Sequence, residues 1–288
     1  MREDQPVSDG DPGEPAGGSA FPGAAIRVGT FNLLHGRSLR DGSTNADDLR
    51  QAVIALDADV LGLQEVDRHQ PRSGNVDQTK LVAEAMAAPH HRFIPALHGT
   101  PGFDWVPADG DGSDPAGEAG RPSYGIGLVS RLPVLRWDVL RFPPAKGRLP
   151  LLVPAEPKPQ VVRVPDEPRS VLAAVVSTEV GPMTVATAHL SFVPVVNARQ
   201  LRAARRWLAG WPRPLVLLGD FNLPGSVPSW LTGFNQLART PTYPSWRARI
   251  QFDHVLAEGL SLAQVRKVRS LQLPVSDHCG LTVDLEFG

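Results

Sequence analysis

Residues 214–222 read Pro-Leu-Val-Leu-Leu-Gly-Asp-Phe-Asn, an apolar run that ends in a glycine and two polar residues. Consecutive apolar residues of this kind predict a strand that is buried on both faces. Gly219 permits a tight exit from that strand because it has no Cβ atom. Asp220 then places a carboxylate at the strand end, and Asn222 projects to the same side two residues later. Taken alone, Asp-x-Asn closes a strand as an Asx-turn about as often as it serves chemistry.

The same pattern, an apolar run followed by polar groups, recurs along the chain. The other polar ends are Thr30-Phe31-Asn32, Gln64-Glu65-Val66, His189, Asp253 and Ser276-Asp277-His278. Buried strands seldom end in such groups by chance, and we expect them to meet at one rim. Carboxylate and carboxamide oxygens suit a hard divalent cation. A rim of this composition can also activate a water molecule and stabilise a transferring phosphoryl group.

Apolar runs and helical periodicity predict an α/β chain. We predict strands over 26–31, 59–63, 124–130, 170–179, 182–190, 214–218, 252–257 and 281–287, and helices that begin at Thr44 or Asn45 and that span 76–87 and 197–209. Residues 99–122 and 141–168, rich in Gly, Pro and Asp, are expected to be long surface loops. Early alternation of strands and helices, followed by hairpins, favours two mixed sheets packed together with outer helices.

Composition limits the classes of protein that this chain can be. It has 288 residues, of which 42% are hydrophobic, as in a packed globular core. The formal net charge is −1, so no global basic field attracts nucleic acid, although a local basic groove is allowed. One cysteine, Cys279, excludes an intramolecular disulfide and a zinc thiolate site. No apolar stretch reaches the ~18 residues of a transmembrane helix, so we expect no stable membrane insertion.

The first 25 residues differ from the rest of the chain. Residues 1–25 are rich in Gly, Pro, Asp and Glu and lack the apolar core of a signal peptide. Such a segment buries too little apolar surface to offset its ordering entropy. We predict a disordered tail over 1–25, one domain over 26–288 and a cytoplasmic location.

Each motif by itself has a plain structural interpretation. Glu65 alone is more simply a capping or salt-bridged glutamate, and His189 alone is more simply a satisfied core residue. Ser276-Asp277-His278 alone is most simply a polar turn. In Phe252-Asp253-His254, side chains alternate, so if Asp253 faces the site His254 faces away and is structural. His90 and His91 have no apparent strand context and are expected in a loop.

The order of the motifs is more specific than any one of them. The series resembles the endonuclease/exonuclease/phosphatase superfamily from about residue 26 to the C-terminus. The motifs that carry the resemblance are Thr30-Phe31-Asn32, Leu63-Gln64-Glu65-Val66, Tyr124-Gly125-Ile126-Gly127-Leu128-Val129-Ser130-Arg131, Ala188-His189-Leu190, Gly219-Asp220-Phe221-Asn222, Phe252-Asp253-His254 and Ser276-Asp277-His278. The resemblance implies a four-layer αββα sandwich of two packed mixed β-sheets flanked by helices. It also implies a divalent cation, Mg²⁺ or Mn²⁺.

The resemblance also implies roles for the residues that would hold the cation and the substrate. Asn32 and Glu65 correspond to the metal-binding pair, and Asp277 is expected to join them. Asn222 corresponds to a residue that contacts the phosphate. Tyr124, at the start of its glycine-punctuated strand, is expected to bind substrate.

Four further residues correspond to catalytic positions. His189 would contact the phosphate or protonate the leaving group, and Asp253 would orient His189. Asp220 would orient or deprotonate the attacking water. His278 would stabilise the pentacovalent transition state, beside Asp277. The implied activity is hydrolysis of a phosphate mono- or diester by in-line attack of an activated water.

The substrate stays open between nucleic acid, sugar or inositol phosphate and phospholipid. Loop 99–122 carries four aspartates, which disfavours a DNA backbone, whereas Arg247 and Arg249 near Trp246 argue mildly for one. Phe103 and Trp105 offer only a small apolar surface to a lipid. A catalytically silent binding module and a hydrolase outside phosphate chemistry are the alternative classes. We predict a phosphorylated substrate, allow nucleic acid, and predict no protein partner.

Overall fold

Two mixed β-sheets packed face to face form the centre of the protein, in a computed structural model that describes residues 24–109, 120–153 and 160–287. The first sheet has seven strands in the order β14-β15-β1-β2-β5-β3-β4, and the second has six in the order β12-β13-β11-β10-β9-β6. A separate hairpin pairs β7 with β8. The strands are β1 (Ala24–Asn32), β2 (Val60–Arg68), β3 (His90–Gly99), β4 (Trp105–Pro107), β5 (Ser123–Ser130), β6 (Val134–Phe142), β7 (Arg148–Val153), β8 (Gln160–Pro165), β9 (Arg169–Thr178), β10 (Gly181–His189), β11 (Leu215–Asp220), β12 (Asn235–Gln236), β13 (Asp253–Glu258), β14 (Val265–Leu271) and β15 (Gly280–Phe287).

Helices cover the outer face of each sheet. The α-helices of the described residues are α1 (Ala46–Leu56), α2 (Gln78–Ala85), α3 (Val196–Trp207) and α4 (Val227–Thr232). The side chain of Asn45 accepts a hydrogen bond from the backbone N–H of Asp47, so Asn45 is the N-cap that the sequence proposed together with Thr44. No helix among the described residues is long and apolar enough to cross a bilayer.

Three buried apolar clusters hold these layers together. The central cluster lies between the sheets and includes Val28, Val185 and Leu218. A second cluster packs α1 and α2 on the first sheet, and a third packs α3 on the second sheet. Burial of apolar surface on both faces of each sheet explains why the strands read as continuous apolar runs. The predicted four-layer αββα sandwich is confirmed.

One parallel pair in each sheet decides where the polar groups lie. β1 pairs parallel with β2, and β10 pairs parallel with β11. Within these pairs Asn32 lies opposite Gln64, and His189 lies opposite Asp220. β13 runs antiparallel to β11 and begins at Asp253, opposite Asp220. The carboxyl ends of the parallel strands and the start of β13 therefore meet at one edge of the sandwich.

Several sequence predictions of structure were wrong or incomplete. His90 and His91 begin strand β3 and are not loop residues. Strands β6 and β14 were not predicted from the sequence. They lie at sheet edges, where the burial of apolar side chains is incomplete. Within the loop predicted over 141–168, β7 and β8 pair antiparallel as a separate two-stranded sheet, because Val and Leu favour strands even in a Pro-rich segment.

Three predicted segments fall partly outside the described residues, and one of them is the loop predicted over 141–168, whose residues 154–159 are not described. The loop predicted over 99–122 contains the short strand β4, and its residues 110–119 are not described. The tail predicted over 1–25 falls on residues 1–23, which are not described, and on Ala24 and Ala25, which belong to β1. The domain boundary at residue 26 thus stays a prediction, with the first strand starting two residues earlier than expected.

Candidate active site

Asp220 is the centre of the polar rim, and its two carboxylate oxygens have different surroundings. Oδ1 accepts a hydrogen bond from the backbone N–H of Asn222 at 2.9 Å, the contact of an Asx-turn. Oδ2 accepts from Asn32 Nδ2 at 3.0 Å and lies 3.8 Å from both His189 Nε2 and His278 Nε2. The Asx-turn of the structural interpretation is therefore present at Oδ1, whereas Oδ2 faces the other polar groups of the rim, and the catalytic role of Asp220 stays a prediction.

Gly219 sets the backbone that aims Asp220 at the rim. Its φ is 140°, and a Cβ atom there would lie 2.0 Å from the carbonyl oxygen of Ala188 on the neighbouring strand. We expect Gly219→Ala to destabilise the fold by about 3 kcal/mol or more, from backbone strain and overpacking together. Gly210→Ala is the matched control, because a Cβ atom there has no neighbour within 4 Å. Thermal melts should show a loss of at least about 5 °C for the first variant only. Equal melting temperatures would contradict this account of Gly219.

Asn32 links the two sheets at the rim. Its Nδ2 donates to Glu65 Oε1 and to Asp220 Oδ2, each at 3.0 Å. Its Oδ1 accepts from the backbone N–H of Leu34 at 3.0 Å. Asn32 is thus held as a bridge between a carboxylate of the first sheet and a carboxylate of the second. Its role as a metal ligand stays a prediction.

Glu65 occupies an irregular point of β2. Its φ is 53°, in the left-handed region that a glutamate rarely adopts, and the β2–β5 pairing shifts register between Leu63 and Val66. The resulting bulge turns the carboxylate toward the rim. Burial and the nearby Asp277 raise the pKa of Glu65 to about 7, against the opposing effect of the hydrogen bond from Asn32. Clustered carboxylates of this kind are stabilised by a cation.

His278 pairs with Asp253, which corrects the predicted partner of Asp253. Asp253 Oδ2 lies 2.8 Å from His278 Nδ1, so the carboxylate orients His278 and not His189 as expected. The reason is tertiary: β11–β13 pairing puts Asp253 beside Asp220, on the side from which His278 approaches. Burial by itself would lower the pKa of His278, but Asp253, Asp220 and Asp277 together raise it to about 10. His278 is therefore an imidazolium at neutral pH.

His189 has the opposite electrostatic environment. Its Nδ1 lies 3.0 Å from Nη1 of Arg169, whose guanidinium can only donate. The same Nη1 lies 3.3 Å from Nε2, but the shorter contact to Nδ1 and the Asp220 carboxylate 3.8 Å from Nε2 favour Nδ1 as the acceptor and Nε2 as the protonated nitrogen. Burial lowers the pKa of His189 well below its usual value, and the charges of Arg169 and His278 lower it further. A neutral and a charged imidazole thus flank the same carboxylate oxygen.

The turn that carries Asp277 and His278 is held by contacts to two other segments. Ser276 has φ 79° and donates from Oγ to the backbone carbonyl of Asn32 at 2.6 Å. The backbone N–H of Ser245 donates to the carbonyl of Asp277 at 2.7 Å. Burial raises the pKa of Asp277, whose side chain is half-buried near Glu65. Asp277 therefore belongs with Glu65 as a possible cation ligand.

The two predicted substrate-binding residues lie at the rim with restricted side chains. Asn222 has φ 50°, and its Nδ2 donates to the carbonyl of Leu190 at 3.0 Å, which leaves one N–H for a phosphate oxygen. Tyr124 is buried, and burial with the charge of Glu65 raises its pKa well above the usual value. Its hydroxyl is therefore neutral at physiological pH. Both roles in substrate binding stay predictions.

His254 is structural, as the alternation of β13 predicted. It is fully buried, its Nε2 lies 2.8 Å from the carbonyl oxygen of Leu223, and its ring stacks on Phe221. Burial lowers its pKa to about 4. This histidine is on the opposite face of the strand from Asp253.

Sequence reasoning missed two residues of the site. Arg169 begins β9 and reaches His189 only because β9 and β10 pair antiparallel with Ser170 opposite His189. Tyr243 lies in the segment before β13, with its ring centroid 4.9 Å from that of His278. Neither residue follows an apolar run, so no local signal marks it. Only strand register and a long-range loop contact bring them to the rim.

The donors at the rim fit a hard divalent cation. Ligand atoms of Asp220, Asp253 and His278 lie within 4.8 Å of one another, and Glu65, Asp277 and Asn32 add oxygens beside them. Asp253 and His278 are already paired with each other. The carboxylates of Glu65 and Asp277 are therefore the better candidates for a cation, and the charge of Asp277 is, after burial, the second cause of the raised pKa of Glu65.

A sandwich of two mixed sheets with this rim is a phosphoesterase-type fold. The sequence of residues 29–278 matches the Endonuclease/Exonuclease/phosphatase family, and the chain belongs to that family. Members of the superfamily are hydrolytic phosphoesterases that generally use a divalent metal. No curated protein matches the sequence significantly.

Solved structures share the fold at low sequence identity. An endonuclease/exonuclease/phosphatase from Beutenbergia cavernae DSM 12333 is 23% identical with a TM-score of 0.57, over 92% of this chain and 72% of that one. A mannosyl-6-phosphatase from Bacteroides thetaiotaomicron VPI-5482 is 16% identical with a TM-score of 0.54, over 91% and 100%. D. rerio TDP2, complexed with a single-strand DNA product, is 14% identical with a TM-score of 0.52, over 91% and 99%.

Proposed function

We propose that this protein is a metal-dependent phosphoesterase that hydrolyses a phosphate mono- or diester by in-line attack of an activated water. The observation that carries the proposal is the position of Asp220 Oδ2, which lies between a neutral His189 and a charged His278. Groups whose pKa values are pushed apart in one site are the usual mark of acid–base chemistry. A catalytically silent module is disfavoured because every expected catalytic side chain is present at the rim.

Asp220 is the proposed base. Burial raises its pKa to about 6, partly opposed by the charge of His278. That value suits a group that must be ionised at neutral pH and still accept a proton. As water transfers a proton to Asp220, its oxygen bonds to phosphorus and the opposite ester P–O bond breaks. The leaving oxygen takes its proton from solvent.

The two imidazoles are the proposed donors to the phosphoryl oxygens. The His278 imidazolium neutralises charge that grows on those oxygens in the transition state, which is the dominant need in phosphoryl transfer. His189 donates from Nε2 without charge, because its low pKa prevents it from acting as a strong acid. We therefore assign His189 to phosphate contact instead of protonation of the leaving group.

Glu65 and Asp277, with Asn32 between sheets, are the residues that would hold Mg²⁺ or Mn²⁺. A divalent cation there would neutralise phosphate charge as a Lewis acid. Asn222 would add one N–H to the phosphate. The proposal does not distinguish the two ions, since both prefer oxygen ligands.

The direct test is a substrate panel. Phosphomonoesters, phosphodiesters and plasmid DNA are incubated with Mg²⁺, with Mn²⁺ and with EDTA, beside the Asp220→Asn variant. We expect turnover of at least one ester that requires the cation and is lost in the variant. Turnover that survives both EDTA and the substitution would contradict the proposal. The cytoplasmic location is a separate prediction, which cell fractionation checks.

Glu65→Gln is expected to weaken cation activation. A neutral amide is a poorer ligand for a hard cation than a carboxylate, so the Mg²⁺ concentration for half-maximal activity should rise by about tenfold or more. Calorimetric titration of Mg²⁺ or Mn²⁺ gives the same comparison without substrate. The control is Glu84→Gln, which removes an exposed carboxylate of α2. An activation curve like that of the unmodified protein would remove Glu65 from the metal site.

A further inference from the structure

The segment 239–250 lies against the catalytic turn. It contains Arg239, Arg247 and Arg249 and no carboxylate, although the whole chain has a net charge of −1. Ser245 holds it in place, with its backbone N–H on the carbonyl of Asp277 and its Oγ donating to the carbonyl of Ser276 at 2.9 Å. Ser245 thus contacts the site directly. Trp246 is the next residue, and its Cα atom lies about 3.8 Å from that of Ser245.

The backbone of the segment forms a defined turn. Thr242 and Ile250 are joined by a backbone hydrogen bond of 2.9 Å, and Arg249 donates to the carbonyl of Tyr243 at 2.9 Å. The backbone N–H of Cys279 donates to the carbonyl of Thr242 at 2.7 Å. These bonds join the two ends of the turn to each other and tie the Thr242 end to Cys279, the residue after His278.

Trp246 is half exposed, with 52% of its surface open to solvent. One part of the indole is thus packed while another part is available for contact. Arg247 and Arg249 are exposed on either side of Ala248, and among the described residues neither forms an ion pair. An open aromatic surface beside free guanidinium groups is an arrangement that stacks bases and attracts phosphates.

We propose that Trp246, Arg247 and Arg249 form a docking platform for single-stranded nucleic acid, and that it places a phosphodiester of that strand over Asp220 and His278. A base stacks on Trp246 while the two arginines contact neighbouring phosphates. This inference rests on the proposed phosphoesterase function and assigns its substrate class. A single strand fits because its bases are free to stack, whereas those of a duplex are paired.

A membrane surface is the less favoured occupant. Insertion at a bilayer interface needs a broad apolar face, and this segment exposes only Trp246 and Ile250 between its arginines. Single-strand binding needs one aromatic per stacked base, so Trp246 suffices for a single contact.

Binding is measured first, without metal, so that it is independent of hydrolysis. A fluorescein-labelled oligo(dT) is titrated in EDTA with the unmodified protein and with Trp246→Ala, Trp246→Phe and Trp230→Ala. Loss of one stacked base is expected to weaken binding by about tenfold in Trp246→Ala, and phenylalanine should restore most of it. Trp230 is the matched control, because it is 80% exposed on α4, which packs with α3 on the outer layer.

The arginines are tested through salt dependence. The slope of log K against log[salt] should fall by about 1.4 in the Arg247→Ala/Arg249→Ala double variant, about 0.7 for each lost phosphate contact with a single strand. An oligonucleotide with an abasic backbone should bind the unmodified protein more weakly than oligo(dT), and that difference should vanish in Trp246→Ala. A difference that persists would overturn the stacking assignment.

Two further measurements separate the possible failures. If oligo(dT) binds equally to all tryptophan variants, or if Trp246 fluorescence responds to anionic phospholipid vesicles and not to oligo(dT), the platform proposal is wrong. With Mg²⁺, kcat/KM for the oligonucleotide should fall in Trp246→Ala by about tenfold relative to that for methyl p-nitrophenyl phosphate, which has no base. Absence of turnover with both esters would contradict the phosphoesterase proposal while the binding data still test the platform.

Discussion

Asp220→Asn is expected to reduce kcat by about 10²–10⁴-fold, the usual contribution of a general base. The substitution keeps the shape of the side chain and the contact with the backbone N–H of Asn222. It removes the charge that accepts the proton of water. The protein should therefore remain folded, with a melting temperature within a few degrees of the original.

The measurement is kcat on whichever ester proves active, beside a thermal melt. Asp47→Asn, which neutralises an exposed carboxylate of α1, is the control and should leave kcat as it is. Unmodified turnover in Asp220→Asn would exclude this carboxylate as the base. Combination with His278→Gln should be little worse than the poorer single variant, because groups that serve one transition state are not additive.

Asp253→Asn is the second change with a large expected effect, and it acts through His278. The carboxylate holds His278 Nδ1 at 2.8 Å and supplies charge that raises the pKa of the imidazole. An amide there does not stabilise the imidazolium and can favour the wrong tautomer. By analogy with buried Asp–His pairs of other enzymes, kcat should fall by about 10²–10⁴-fold.

The pKa of His278, followed by NMR in metal-free protein, separates this positioning role from general damage. It should fall from about 10 toward its ordinary value in Asp253→Asn, since a charge that favours the protonated ring is gone. The pKa of His189 should stay low, because burial and Arg169 set it. A change confined to His189 would restore the pairing predicted from sequence and contradict the observed contact.

Most of the layered fold could be predicted from the chain because the relevant signals are local. Apolar runs such as Leu215–Leu218 are read directly as buried strands, and the helix cap at Asn45 is a neighbouring-residue effect. The edge strands β6 and β14 were not predicted, because an edge strand is less buried than a central one and its composition resembles that of a loop. His90 and His91 were misjudged for a related reason, since polar residues also begin strands.

Most members of the site could also be named from the sequence, because they lie beside an apolar run, whereas Arg169 and Tyr243 could not. Asn32, His189 and Asp220 end strands, and parallel pairing brings such ends to one edge of a sheet. Glu65 follows the apolar run 60–63 but lies at a bulge inside β2, which continues to Arg68. Their chemistry follows from their side chains. Strand ends and residue types are properties of short stretches, and a single sequence is enough to determine them.

Only the tertiary structure decided which of these groups act on one another. Asp253 pairs with His278 and not His189 because β13 lies antiparallel to β11 while the 276–278 turn folds over that strand end. Arg169 reaches His189 through strand register, and Tyr243 reaches His278 through a loop that is distant from it in sequence. Contacts of this kind depend on register and chain crossing, which no local pattern encodes, and the opposite pKa shifts of the two histidines depend on those contacts.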